Sequence, residues 1–145
     1  MLRNDYEGQD CSIARALEIV GERWTLLIIR DAFLGLRRFD RFQENLGIAR
    51  NVLTDRLNRL VEEGILDRIR YSERPERYEY RLTAKGRDLA VTLAGLRQWG
   101  DKYLSEKPPR ITRRRSDKQP VIAAFVPKGA EVVREDELES VPAPG

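Results

Sequence analysis

The sequence predicts a mainly α fold of the α+β class, on three observations. Two short amphipathic helical patterns meet at a glycine between Arg37 and Glu63. Two alternating, aromatic- and Ile-containing runs follow directly, over 65–71 and 77–82. A long apolar stripe then recurs at helical spacing from Leu89 to Tyr103. Helix, turn, helix and then hairpin is the order of a winged helix-turn-helix, the hairpin being a two-stranded wing.

Residues 1–9 are polar and without period, and read as a loose arm. A first helix is expected from Asp10 or Ser12, either of which can cap it, to Gly21. Ile13, Ala14, Leu17 and Val20 form its apolar face. A second helix places Trp24, Leu27, Ile28 and Ala32 or Phe33 inside and ends at Gly35. Both faces are broad, so both helices read as buried supports. Trp24 is expected to pack in the core, a ligand-stacking ring being the alternative.

The helix-turn-helix is the centre of the chain. Phe39, Phe42 and Leu46 fall at i, i+3 and i+7, and Leu53, Leu57, Leu60 and Val61 form the stripe of the next helix. Gly47 sits where a C-cap needs the left-handed conformation. At 100° per residue, Asn51, Thr54, Asp55 and Asn58 point away from the second stripe, with Arg50 beside them and Arg59 at the edge. These are base-reading and phosphate-binding side chains on a helix whose first turns would enter a major groove. The alternative is a solvated helix face.

In the hairpin, Tyr78, Tyr80 and Leu82 share one face, and Arg77, Glu79 and Arg81 the other. The connector 72–76 contains Pro75, and Arg70, Arg74 and Arg77 bring positive charge toward the tip. Thr83 is expected to cap a helix continuing to Tyr103, with Leu89, Leu93, Leu96, Trp99 and Tyr103 in its stripe. That is more apolar surface than one small domain covers, and a dimer interface would use the surplus. Pro108-Pro109 marks a boundary. Beyond it, 105–118 carries six basic and two acidic residues, and 131–139 five acidic and one basic. The run 121–126 is apolar and strand-prone, an aggregation hazard if exposed. With 131–133 and 111–115 as further strands, it predicts a small β-appendage packed on the rest.

Composition excludes several function classes. The chain has 145 residues, 27 basic against 24 acidic, no His and one Cys. A His-based catalytic dyad and an ordinary zinc site within one chain are therefore excluded, as is an internal disulfide. No two of the ten glycines are adjacent or one apart, so no G-x-G phosphate loop exists. No apolar run approaches the roughly 18 residues of a membrane span, and no signal peptide opens the chain. No enzyme, cofactor or metal is expected, and the compartment expected is the cytoplasm.

These residues resemble the HxlR-type winged-helix regulators of bacteria over about residues 11–100. The resemblance rests on Cys11, Arg15-Ala16-Leu17, Arg23-Trp24-Thr25-Leu26-Leu27-Ile28 and Arg37-Arg38-Phe39. It continues through Asn51-Val52-Leu53-Thr54-Asp55-Arg56-Leu57, Gly64-Ile65-Leu66, Glu79-Tyr80-Arg81-Leu82-Thr83, Gly86 and Trp99-Gly100. It implies homodimers that bind operator DNA, mostly as repressors, with recognition helix and wing both on DNA. Ser12 stands where the family often has Pro, and Ala49 where it often has Ser at the start of the recognition helix. Ala cannot supply a capping oxygen, typically worth about 1 kcal/mol; a phosphate oxygen can take its place.

The expectations are as follows. Residues 8–104 form a DNA-binding and dimerisation domain and 105–145 an extension. Arg50, Asn51, Thr54 and Asn58 read an inverted-repeat operator. Arg59, Arg74 and Arg77 serve mainly the DNA phosphates, Arg38 is a further DNA-binding residue, and Asp55 orients Arg59 or accepts from a cytosine amino group. Ile13, Leu17, Leu89, Leu93, Leu96, Trp99 and Tyr103 hold the dimer. Cys11 is the candidate sensor of a small-molecule or oxidant effector, with simple packing as the alternative. The competing function is a winged-helix module that docks protein, against which the polar face of the second helix argues.

Overall fold

The computed structural model describes residues 6–144; residues 1–5, within the expected arm, lie outside them. The order is α1 (Ser12–Val20), α2 (Thr25–Phe33), α3 (Phe39–Leu46), α4 (Arg50–Glu62), β1 (Leu66–Glu73), β2 (Glu76–Leu82), α5 (Ala84–Arg87), α6 (Ala90–Tyr103), β3 (Arg110–Arg114) and β4 (Leu138–Pro142). The chain divides into two compact units, Met1–Arg87 and Asp88–Gly145. The reading from sequence set the boundary after residue 104. The long helix groups instead with the tail, to which Arg97 and Gln98 bond.

The first unit is a winged helix. Its core holds Val20, Ile28, Ile29, Ala32, Phe42, Ile48, Leu53, Leu57, Leu60, Ile65, Leu66 and Tyr80. Of the expected stripes, Phe42 of α3 and Leu53, Leu57 and Leu60 of α4 are buried, while Phe39, Leu46 and Val61 are half-buried. Gly47 caps α3 at φ 64 and donates its N–H to the Gln43 carbonyl, the left-handed closure that glycine makes cheaply. Asp31 is also fully buried. Arg30 and Asn45 donate to its two carboxylate oxygens at 2.8 and 2.9 Å, tying α2 to α3 and satisfying the charge.

Four expectations for the supporting elements are corrected. Cys11, not Asp10 or Ser12, is at the N-cap of α1, and it forms no side-chain cap bond. Neither α1 nor α2 is a wholly buried support: Ile13 is 70% exposed, and Leu17 and Leu27 are exposed too. The i+4 spacing of Ile13 and Leu17 makes an apolar stripe that nothing in the first unit covers. Trp24 precedes α2 in a left-handed conformation, half-buried, with the Arg23 guanidinium over its ring. The Thr83 helix is not continuous either. Thr83 Oγ1 accepts from the Gly86 N–H, but the short α5 stops at Arg87. Gly86, a poor helix former, lies so close to the Ile65 carbonyl that a Cβ would clash there. Leu89 therefore sits at the N-cap of a separate α6.

The wing is an antiparallel pair with Leu66↔Leu82, Arg68↔Tyr80 and Arg70↔Tyr78 in register. The pairing then shifts so that Ser72 faces Arg77, leaving Tyr71 as an extra residue, a β-bulge. On the other edge of β2 the Arg37 carbonyl accepts the Tyr80 N–H, and Arg38 bridges Glu79. The stretch before α3 is thereby fixed against the wing, a contact the sequence reading did not include.

In the second unit, β3 pairs antiparallel with β4, Thr112 facing Ser140. A strand near 111–115 is present as expected, but its partner is not. Residues 121–126 and 131–133 are not strands. The other edge of β3 is taken by the returning chain: Pro120 bridges Arg113, and the Val121 N–H reaches the Thr112 carbonyl. Beyond Val121 the chain leaves that edge and runs on outside any strand, with Ile122, Phe125 and Val126 exposed. Opposite charges of the tail meet at Glu139, which receives Arg113 at 2.8 Å and Lys118 at 3.1 Å.

Candidate nucleic-acid interface

The α4 helix divides cleanly. Leu53, Leu57 and Leu60 are fully buried, while Arg50, Asn51, Thr54, Asp55 and Asn58 are exposed together. This is the face derived from the 100° spacing. Ala49 at the N-cap offers no side-chain bond to the first N–H groups. Those donors are open to an anion at the end where the helix dipole favours one. Thr54 Oγ1 donates to the Arg50 carbonyl at 2.9 Å, which fixes the hydroxyl and turns its lone pairs outward.

The basic residues fall into two groups. Arg50 lies over the Phe39 ring, 4.9 Å from its centroid, and forms no ion pair among the described residues. Arg74, in the turn of the wing, and Arg77, at the start of β2, are exposed and likewise unpaired among the described residues. Arg38 is exposed and stacks on Tyr71 at 4.4 Å. These four cations are available to a polyanion.

Arg59 differs from its expected place. It is half-buried and turned toward the support helices, donating to the Glu18 carbonyl at 3.4 Å and lying 3.3 Å from Glu63. Nor does Asp55 orient Arg59; it pairs with Arg56 at 2.6 Å. Sequence reasoning passed over Arg56. That residue also contacts Glu22 at 3.1 Å and donates to the Arg23 carbonyl at 3.0 Å. It clasps α4 to the α1–α2 connection, and it holds Asp55 on the exposed face. Its position beside Asp55 was the one signal available; the other two partners lie more than thirty residues away in the chain.

The expected dimer residues separate by unit. Ile13 and Leu17 are exposed on α1. On α6, Leu96, Trp99 and Tyr103 are exposed, while Leu89 and Leu93 are half-buried. Trp99 and Tyr103 stack obliquely at 5.5 Å, forming an aromatic ridge.

Cys11 is exposed at the start of α1. The backbone N–H groups of Ala14, and then of Ile13, favour the thiolate and hold the thiol below its ordinary pKa. Among the described residues no cluster of His, Cys, Asp or Glu could hold a metal, and no helix is long and apolar enough to cross a membrane.

Comparison with known proteins agrees with this geometry. A model of the HxlR-like helix-turn-helix family matches residues 19–108. The HTH-type transcriptional regulator Rv3095 of Mycobacterium tuberculosis is 56% identical over 110 residues, 74% of this chain and 68% of its own length. The crystal structure of PA1607, titled a transcription factor, is 42% identical and superposes with a TM-score of 0.74, over 85% of this chain and 87% of its own. The redox regulator HypR in its reduced form is 28% identical, with a TM-score of 0.60, over 63% of this chain and 92% of its own.

Proposed function

Because the chain belongs to the HxlR-like helix-turn-helix family of transcriptional regulators, we propose that it acts as a homodimeric repressor in the cytoplasm. It recognises an inverted-repeat operator with α4 in the major groove and the wing on the flanking backbone. The observation that carries this reading is the exposed face of α4, where Arg50, Asn51, Thr54, Asp55 and Asn58 stand together over a fully buried Leu53/Leu57/Leu60 stripe. Asn51 and Asn58 suit adenine, Arg50 suits guanine or phosphate, and Asp55 suits a cytosine amino group. Arg38, Arg74 and Arg77 take phosphates. Arg59, given its half-buried place, serves α4 from behind.

The dimer joins two α1 and two α6 faces and sets the recognition helices about 34 Å apart, or a multiple of that. The bare Ile13, Leu17, Leu96 and Trp99 side chains support it. Cys11 is proposed as the point at which an oxidant or electrophile acts. Its exposure and favoured thiolate support that role, and a relative is named a redox regulator.

The test is a mobility shift on duplex from upstream of the chain's own gene, titrated with salt. Wild-type protein is expected to prefer that duplex over an unrelated one and to weaken steeply with salt. Asn51→Ala is expected to lose about 1–3 kcal/mol of preference, relaxing one position of each half-site. Equal binding of both duplexes by wild type and variant alike would exclude operator recognition through this face.

A further inference from the structure

Tyr71 is the bulged residue of the wing: pairing passes from Arg70↔Tyr78 to Ser72↔Arg77 and omits it. A bulge removes one side chain from the cross-strand ladder and re-aims it. Here the ring comes to lie under the Arg38 guanidinium, 4.4 Å from its carbon to the ring centroid. Arg38 arrives from the opposite edge, where it bridges Glu79 of β2, so its side chain spans the width of the wing.

The electrostatics of Arg38 are unequal on its two sides. Its Nε stands 3.8 Å from Glu79 Oε1, too long for a charge-assisted hydrogen bond. The other oxygen of Glu79 is held by Arg81 at 3.1 Å. Arg38 therefore has a firm aromatic platform and a loose counter-charge, and half of its side chain is open. Glu79 stays paired if Arg38 leaves it. Next along the chain is Phe39, which carries Arg50 of α4 on its ring. Two stacked guanidiniums thus bracket the Arg38-Phe39 link, between the wing and the first turn of α4.

We propose that Tyr71 is a positioning residue for DNA binding, holding Arg38 as a phosphate clamp between α4 and the wing, with Glu79 as the counter-charge that a phosphate displaces. The proposal rests on the DNA-binding reading above and adds the device that aims one of its cations. A guanidinium stacked on an aromatic face loses less freedom when it binds. A phosphate offers it two well-placed oxygens, which Glu79 at its present distance does not.

A double-mutant cycle in fluorescence anisotropy tests this, using duplex from upstream of the gene and an unrelated duplex at several salt concentrations. Arg38→Ala is expected to weaken both duplexes roughly three- to tenfold and to reduce the salt slope by about 0.9. Tyr71→Ala is expected to weaken both similarly when Arg38 is present and hardly at all in the Arg38→Ala background. Tyr71→Leu, which keeps bulk but removes the ring, should behave as Tyr71→Ala, and Tyr71→Trp as wild type. Glu79→Gln should tighten both duplexes only while Arg38 is present. Additive losses for Tyr71 and Arg38, or a Glu79→Gln effect independent of Arg38, would overturn the clamp and leave DNA binding standing. Failure of wild type to bind either duplex would overturn the DNA-binding reading and the clamp with it.

Discussion

The side-chain amide of Gln98 brackets the backbone of Ala123: its Nε2 donates to the Ala123 carbonyl at 2.9 Å and its Oε1 accepts the Ala123 N–H at 2.9 Å. One residue of α6 thus makes the two bonds that a neighbouring strand would make. It ties the segment after Val121 to the helix at a point where no strand is available.

Gln98→Ala should therefore free the segment. In hydrogen exchange, the Ala123 amide is expected to lose its protection, while Val121, bonded to the Thr112 carbonyl, keeps its own. Unchanged exchange at Ala123 would mean that the bracket does not form in solution.

The apolar ridge of α6 gives a prediction about assembly. Leu96 and Trp99 are more than half exposed in the single chain, yet together they present one stripe. Leu96→Glu is expected to convert a dimer into monomers at micromolar concentration in sedimentation velocity. It should weaken binding to a paired site far more than to a single half-site. A monomeric wild type would remove the dimer from the mechanism.

Gly86 tests the packing at the base of the wing. An added Cβ would run into the Ile65 carbonyl and approach the Leu82 side chain at 3.0 Å. Gly86→Ala is therefore expected to destabilise by about 1–3 kcal/mol in urea unfolding, although alanine is the better helix former. A stabilised variant would show that α5 can shift at no cost.

For Cys11 the direction of the pKa shift sets the outcome. The Ala14 and Ile13 N–H groups favour the charged form, so the thiolate is populated at lower pH than in a free thiol. Plotted against pH, the alkylation rate should rise with a midpoint below that of a free thiol. Quinone or peroxide is then expected to release wild-type protein from DNA and to spare Cys11→Ser. Equal sensitivity of the two would take Cys11 out of the switch. With one Cys per chain, oxidation cannot close an internal disulfide; it ends in a sulfur oxyacid, a small-molecule adduct or a bridge between subunits.

How much of this was legible in the sequence depended on how local its cause is. The Phe42 and Leu53/Leu57/Leu60 stripes and the Gly47 cap follow from neighbours within two turns of helix, and they were read correctly. So was the exposed face of α4, because it is what the stripe leaves over. Arg59 and Arg56 were not legible: their partners Glu18 and Arg23 lie forty-one and thirty-three residues away. The Tyr71 bulge was hidden because alternation in β1 looks regular until its partner strand is in place. Residues 121–126 were misread for a related reason. Their composition favours a strand, but only Val121 reaches the edge of β3, and the residues after it leave that edge without a partner strand. The strand that does form, Leu138–Pro142, contains Glu139, Ser140 and Pro142, a weak signal that only pairing with Arg110–Arg114 reveals.

None of the described residues between Asp88 and Pro144 is fully buried. A segment with no interior has little to hold it in one shape by itself. On the dimer reading, its ordering and the meeting of two chains become a single equilibrium, governed by mass action. The concentration of chains competent for a two-fold site would then climb more steeply than the total concentration in dilute conditions. The midpoint of thermal unfolding would rise as the sample is concentrated. The supply of a regulator built this way would be sensed before any effector arrives.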